Sequence, residues 1–212
     1  MTLALATLFV AAAAGAALPF RPFAVLREHA LRAPWLAALA ILPLAWTTLR
    51  ALPAGASLQL SGACLLVLMF GWPLAVWTLL PIAAISAWLA GASPAEGVEL
   101  AAWHGVVPAT FALAIGIAIR RLLPSHLFVY ILGRAFLGTA LALMAAGALA
   151  TFVGPLPPAT DASTLLIGHW LVAWGEAVLT GMLTAIFVAY RPGWLLTWSD
   201  RRYLPRPPDA PR

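Results

Sequence analysis

The chain is expected to be all-α, a polytopic integral membrane helix bundle of about seven transmembrane helices, with its N-terminus outside and its C-terminus in the cytoplasm. Three observations predict this. Of 212 residues, 63% are hydrophobic and 9% charged, against roughly 25% charged in soluble domains. Several apolar stretches approach the about 20 residues that cross a hydrocarbon core about 30 Å thick, where backbone polar groups must bond within the segment. The arginines, finally, gather in alternate connections, the pattern of the positive-inside rule.

Helical segments are expected at about 2–18, 33–52, 58–71, 73–91, 99–120, 128–153 and 164–190. Residues 1–18 resemble a cleavable signal peptide in their small-residue end. They lack a basic first region, however, and their removal would leave Arg21, Arg27 and Arg32 outside just before a new span, so they are read as a retained helix. Arg21, Arg27 and Arg32 precede the second span, Arg120 and Arg121 follow the fifth, and Arg191, Arg201, Arg202, Arg206 and Arg212 follow the last. The connections at 92–98 and 154–163 carry Glu96 and Asp161 and no arginine. Arg50 alone falls on the wrong side. The run from Leu58 to Gly91 covers 34 residues, about 51 Å as one helix and too long even for a tilted span. A break is therefore placed at Gly71, Trp72 and Pro73; without it the protein would have six spans. The third segment is then short, either tilted or starting within the membrane. Residues 1–190 form the transmembrane bundle and 191–212 a basic, Pro-rich cytoplasmic tail.

Trp35, Trp46, Trp72, Trp88, Trp103, Trp170, Trp194 and Trp198 fall near expected helix ends and read as an aromatic belt. Small residues, as in 139–150 and at Gly175 and Gly181, allow close helix approach. The positive net charge of +5 reflects loop arginines rather than a nucleic-acid surface. The lone Cys64 can form no disulfide within the chain.

An ionisable residue at the bilayer centre costs at least about 2.5–3.5 kcal/mol on insertion scales, so each needs a reason. Glu176 lies near the middle of the last span, where it serves either substrate, ion or subunit coupling, or a packing hydrogen bond or ion pair with Arg134. Arg134, near the cytoplasmic start of the sixth span, can snorkel toward the interface. Toward the outside lie Gln59, Cys64, His104 and His169. Imidazole and thiolate ligate transition metals, so convergence of His104, His169 and Cys64 would make a metal site, whereas isolated histidines beside Trp103 and Trp170 would simply face the interface. His29 and His126 fall in cytoplasmic loops, and Met69 and Met182 read as packing residues. No phosphate-cradling loop, HExxH or nucleophile elbow is present. An enzyme is therefore not expected.

The stretches LQLSGACLLVLMFGWPLA, GVVPATFALAIGIAIRRLLPSHLFVYILGRAFLGTALA and WGEAVLTGMLTAIFVAYRPGWLLTWSDRRYL, within about 57–203, resemble the energy-coupling-factor permease family of cobalt and nickel uptake. The likeness is strongest to a short proteobacterial branch described as predicted membrane proteins. It implies a seven-helix, substrate-binding component of the bacterial inner membrane, working with a transmembrane coupling subunit and cytoplasmic ATPases. In metal-transporting relatives a histidine at the second position and another on a later helix ligate the metal; here those places hold Thr2 and Gln59. Two functions follow as expectations: an importer component, with a transition-metal ion as one candidate substrate, or an accessory or scaffold subunit that keeps the fold without the metal site. An intramembrane enzyme lacks an acid/base set, and an autonomous channel or carrier lacks internal repeats or charged rings.

Overall fold

The structure is a computed structural model in which residues 2–48, 60–153 and 161–204 are described. These residues are helical, without strands, and six helices are long and apolar enough to cross a membrane. They are α1 (Thr2–Ala17), α2 (His29–Thr48), α3 (Ala63–Leu89), α4 (Pro94–Leu122), α5 (Val129–Val153) and α6 (Ala162–Tyr190), followed by the short α7 (Asp200–Tyr203). Leu8, Leu36, Ile41, Phe152 and Leu171 are all more than half exposed. Such outward apolar faces fit a multi-pass membrane protein, because lipid replaces water as their solvent.

The six helices stand where seven segments are expected, because 63–89 registers as one helix interrupted at Gly71. Gly71 has φ 73° and ψ 159°, a conformation that is essentially confined to glycine. Contacts with α2 show that the chain reverses there. Trp35 Nε1 donates to Thr78 Oγ1 at 2.9 Å and Ser86 Oγ to the Pro43 carbonyl at 3.4 Å, so 72–89 runs parallel to α2. Residues 63–70 run the other way. Gly62 lies against Leu42, whereas Leu68 and Met69 meet residues 196–197, close to where Gly193 abuts Ala30. The first part of α3 is thus an eight-residue half-helix, about 12 Å long and too short to cross the bilayer by itself.

Residues 191–204, assigned by sequence to a tail, pack on the bundle. The Leu196 N–H donates to the Met69 carbonyl at 2.9 Å, and the Thr197 N–H and Oγ1 to the Leu68 carbonyl at 3.3 and 2.7 Å. These bonds satisfy carbonyls freed where the half-helix ends. Leu195, Trp198 and Tyr203 join the buried core, with Trp198 and Tyr203 stacked and both against Tyr130. Trp198 therefore leaves the expected aromatic belt. So does Trp46, which is fully buried and donates Nε1 to the Ser61 carbonyl at 3.1 Å.

Helix α4 begins at Pro94, earlier than the expected 99, because Ser93 and Glu96 form a capping box with Pro94 in the first turn. Ser163 and Thr164 hydroxyls donate to the Asp161 carboxylate at the start of α6, holding its carboxyl below the usual carboxylate range. A depressed folded value means that this contribution is present above the unfolded value and is lost as pH falls through the folded one. Amide protection factors over 162–168 should therefore hold down to the unperturbed aspartate value of about 3.9 and drop as pH falls below it. Unchanged protection would remove Asp161 from the helix start.

Candidate functional site

Glu176 is the fifteenth of the 29 residues of α6, the middle of the helix. It is buried, and both carboxylate oxygens are occupied: Oε2 accepts the Ser61 N–H at 2.5 Å and Oε1 the Gly62 N–H at 2.9 Å. These N–H groups belong to the residues that open the half-helix. A helix start leaves unpaired donors and carries a partial positive charge; here Ser61 Oγ accepts the Ala63 N–H at 3.1 Å, and the two preceding N–H groups are taken up by a carboxylate from another helix. Gly62 has φ +69°, and a Cβ there would meet Leu42 at 2.8 Å. A glycine is needed to bring the backbone to the carboxylate.

Beyond this junction lies a cavity of about 70 Å³, lined by Ser61, Trp103, His104, Gly147 and His169 among others. His104 sits in a π-helical stretch, Ala101–Val106, within α4. Such wide turns interrupt the regular ladder and are frequent at functional sites. The His104 carbonyl accepts Ser61 Oγ–H at 2.5 Å, and its ring packs edge-on to Trp46. His169 Nδ1 is 3.4 Å from Thr151 Oγ1. The imidazole occupies space left by Gly147, where a Cβ would lie 2.5 Å from its Cγ.

The expected group of His104, His169 and Cys64 is therefore brought together only in part. Both histidines line the cavity, while Cys64, one residue into α3, is buried beside Thr139 and within the field of Glu176. Among the described residues no three His, Cys, Asp or Glu side chains gather as a metal-binding group. Gln59 lies outside the described residues. His126 stacks on Phe128, His29 opens α2, Met69 is buried and Met182 half exposed.

Arg134 does not pair with Glu176. It is 9% exposed, its Cζ lies 5.9 Å above the Tyr130 ring, and its Nη1 has no hydrogen-bond partner among the described residues. The Glu176 carboxylate thus makes interhelical hydrogen bonds of the packing kind, and the expected ion pair with Arg134 is not formed. Ser61, Gly62, Gly147 and Thr151 escape a search for ionisable residues. Only Ser61-Gly62 carries a signal, since a Ser-Gly pair before an apolar run is a helix-start pattern.

No family model, curated protein or solved structure matches the chain, so the geometry of this junction and cavity carries the functional reading.

Proposed function

We propose that the chain is the membrane-embedded, substrate-binding component of an importer of the energy-coupling-factor type, taking a small solute for which a transition-metal ion is the first candidate. The observation that carries this reading is the cavity lined by Ser61, His104 and His169, beside a helix that starts in mid-bundle. Membrane transporters place substrate sites where helices are discontinuous, and the start of a half-helix attracts anions. Glu176 already fills that anionic role, which favours a neutral or cationic solute. Two imidazoles offer nitrogen ligands to a metal cargo, and water would complete its shell.

In this reading the arginine-bearing end faces the cytoplasm and the end with Glu96 and Asp161 faces out. Counting the half-helix as the third segment, the chain follows a seven-segment path from an outside N-terminus to a cytoplasmic C-terminus. A coupling subunit and ATPases would meet the arginine-bearing end of the bacterial inner membrane protein.

Elemental analysis of the purified protein, beside a His104→Asn/His169→Asn double variant, tests the cargo. Near-stoichiometric metal in the parent and its loss in the variant are expected. Metal retained by the variant, or absent from both, sinks a metal cargo at this cavity. A second reading, a non-transporting scaffold subunit, is favoured by the full commitment of Glu176 to backbone donors. Stoichiometric co-purification with an unrelated membrane complex, without coupling ATPases, would select it.

A further inference from the structure

The least explained polar group in the bundle is the Arg134 guanidinium. Arg134 lies in the π-helical opening of α5, Val129–Leu137, with its Nε beneath Gly116 of α4, where a Cβ would come within 3.0 Å. It is about nine-tenths buried, yet Nη1 has no hydrogen-bond partner among the described residues. Burying a cation without a partner is costly, and a buried donor left unpaired calls for a bound water or ion. The Tyr130 ring supplies a cation–π contact at 5.9 Å but no acceptor for an N–H. The Tyr130 hydroxyl is engaged with Thr197 Oγ1 at 2.8 Å.

Arg134 also lines a small cleft with Arg120, Pro124, Ser125, Tyr130 and Tyr203, with space of about 10 Å³. That volume admits about one water-sized atom, such as a single oxygen of a larger group. Arg120 is exposed at the rim, and Arg121, Arg201 and Arg202 are exposed nearby in sequence. The carboxylate of α7, on Asp200, accepts Trp198 Nε1–H at 2.6 Å. The cleft thus pairs a buried guanidinium, unsatisfied among the described residues, with the exposed Arg120.

We propose that this cleft binds a phosphate group, one oxygen entering to meet Arg134 Nη1 while the remainder stays at the rim with Arg120 and Ser125. Arginine suits phosphate because its rigid fork of donors matches the oxyanion. A phospholipid headgroup and free phosphate share this chemistry. The lipid is the expected source, since basic pockets between spans at the arginine-bearing side recognise anionic headgroups.

The test uses the full chain in dodecyl maltoside, titrated with phosphatidylglycerol, with diacylglycerol of the same acyl chains, and with inorganic phosphate, and reads bound ligand by native mass spectrometry and the melting temperature by tryptophan fluorescence. Phosphatidylglycerol should bind and raise the melting temperature while diacylglycerol does neither. Arg134→Leu should weaken phosphatidylglycerol binding about tenfold, the equivalent of one charged hydrogen bond, with Arg120→Gln weakening it less. A response to phosphatidylglycerol alone assigns the lipid as source, and an equal response to inorganic phosphate assigns the free anion. Equal responses to phosphatidylglycerol and diacylglycerol, or an undiminished phosphatidylglycerol response in both variants, overturn the proposal. Should Arg134→Leu fail to fold, an undiminished response in Arg120→Gln overturns it.

Discussion

Replacing Glu176 with alanine is expected to destabilise the protein by about 2–5 kcal/mol, the largest effect of any single polar substitution in the bundle. The change removes two acceptors at once and leaves the Ser61 and Gly62 N–H groups buried at the start of the half-helix. Interhelical hydrogen bonds in membranes average only about 0.6 kcal/mol when the separated helices find other partners. The upper range applies here because these donors belong to a helix start, which cannot satisfy them internally. Glu176→Gln keeps one carbonyl acceptor but turns an amide N–H₂ toward a backbone donor, so roughly half the loss is expected. Unfolding from mixed detergent micelles into increasing dodecyl sulfate, followed by tryptophan fluorescence, measures both variants. If Glu176→Ala unfolds at the parent's midpoint, the carboxylate does not hold α6 to α3.

The second large effect is expected at Gly71. A side chain at φ 73° and ψ 159° is strained whatever space surrounds it, and an added Cβ would also meet Leu196 at 3.3 Å. Gly71→Ala should cost about 1–3 kcal/mol, and Gly71→Val more, since a branched side chain tolerates positive φ less well. The damage should be local. Relief of strain by straightening α3 would pull Leu68 and Met69 away from Leu196 and Thr197, whose N–H groups donate to their carbonyls. Hydrogen exchange at the Leu196 and Thr197 amides should therefore rise more than exchange in the middle of α6. Uniform change, or none, would mean that the reversal does not depend on Gly71.

The lipid-facing nature of the chain and the break at Gly71 were legible because their signals are local: long apolar runs, and a Gly-Trp-Pro interruption in a segment too long for one span. The α4 start was equally local in its Ser93-Pro94-Ala95-Glu96 pattern, but its acidic residues read as a connection. Trp46 and Trp198 could not be separated from belt tryptophans, since a position near a helix end does not tell whether the indole meets headgroups or the interior. The Glu176 junction was beyond sequence reading for a different reason. Its partners are backbone amides, which every residue except proline possesses, so nothing in the identity of Ser61 or Gly62 points to a carboxylate on another helix. The cavity histidines were recognisable as candidates from type and depth, but the exclusion of Cys64 depended on which way the half-helix turns it.

Ser61 and Glu176 are 115 residues apart, and this separation imposes an order on biogenesis. At about 5–20 residues per second, the carboxylate is made roughly 6–23 s after the amides it accepts. Throughout that interval Ser61 Oγ can cap the Ala63 N–H locally, but the Ser61 and Gly62 N–H groups lack the carboxylate that accepts them in the folded bundle, and unpaired donors are poorly tolerated in hydrocarbon. The nascent segment must wait in the headgroup region or the insertion machinery until α6 arrives. Its entry into the bundle is then a late, post-insertional step, and a chain released before α6 is complete has no means of closing around the cavity.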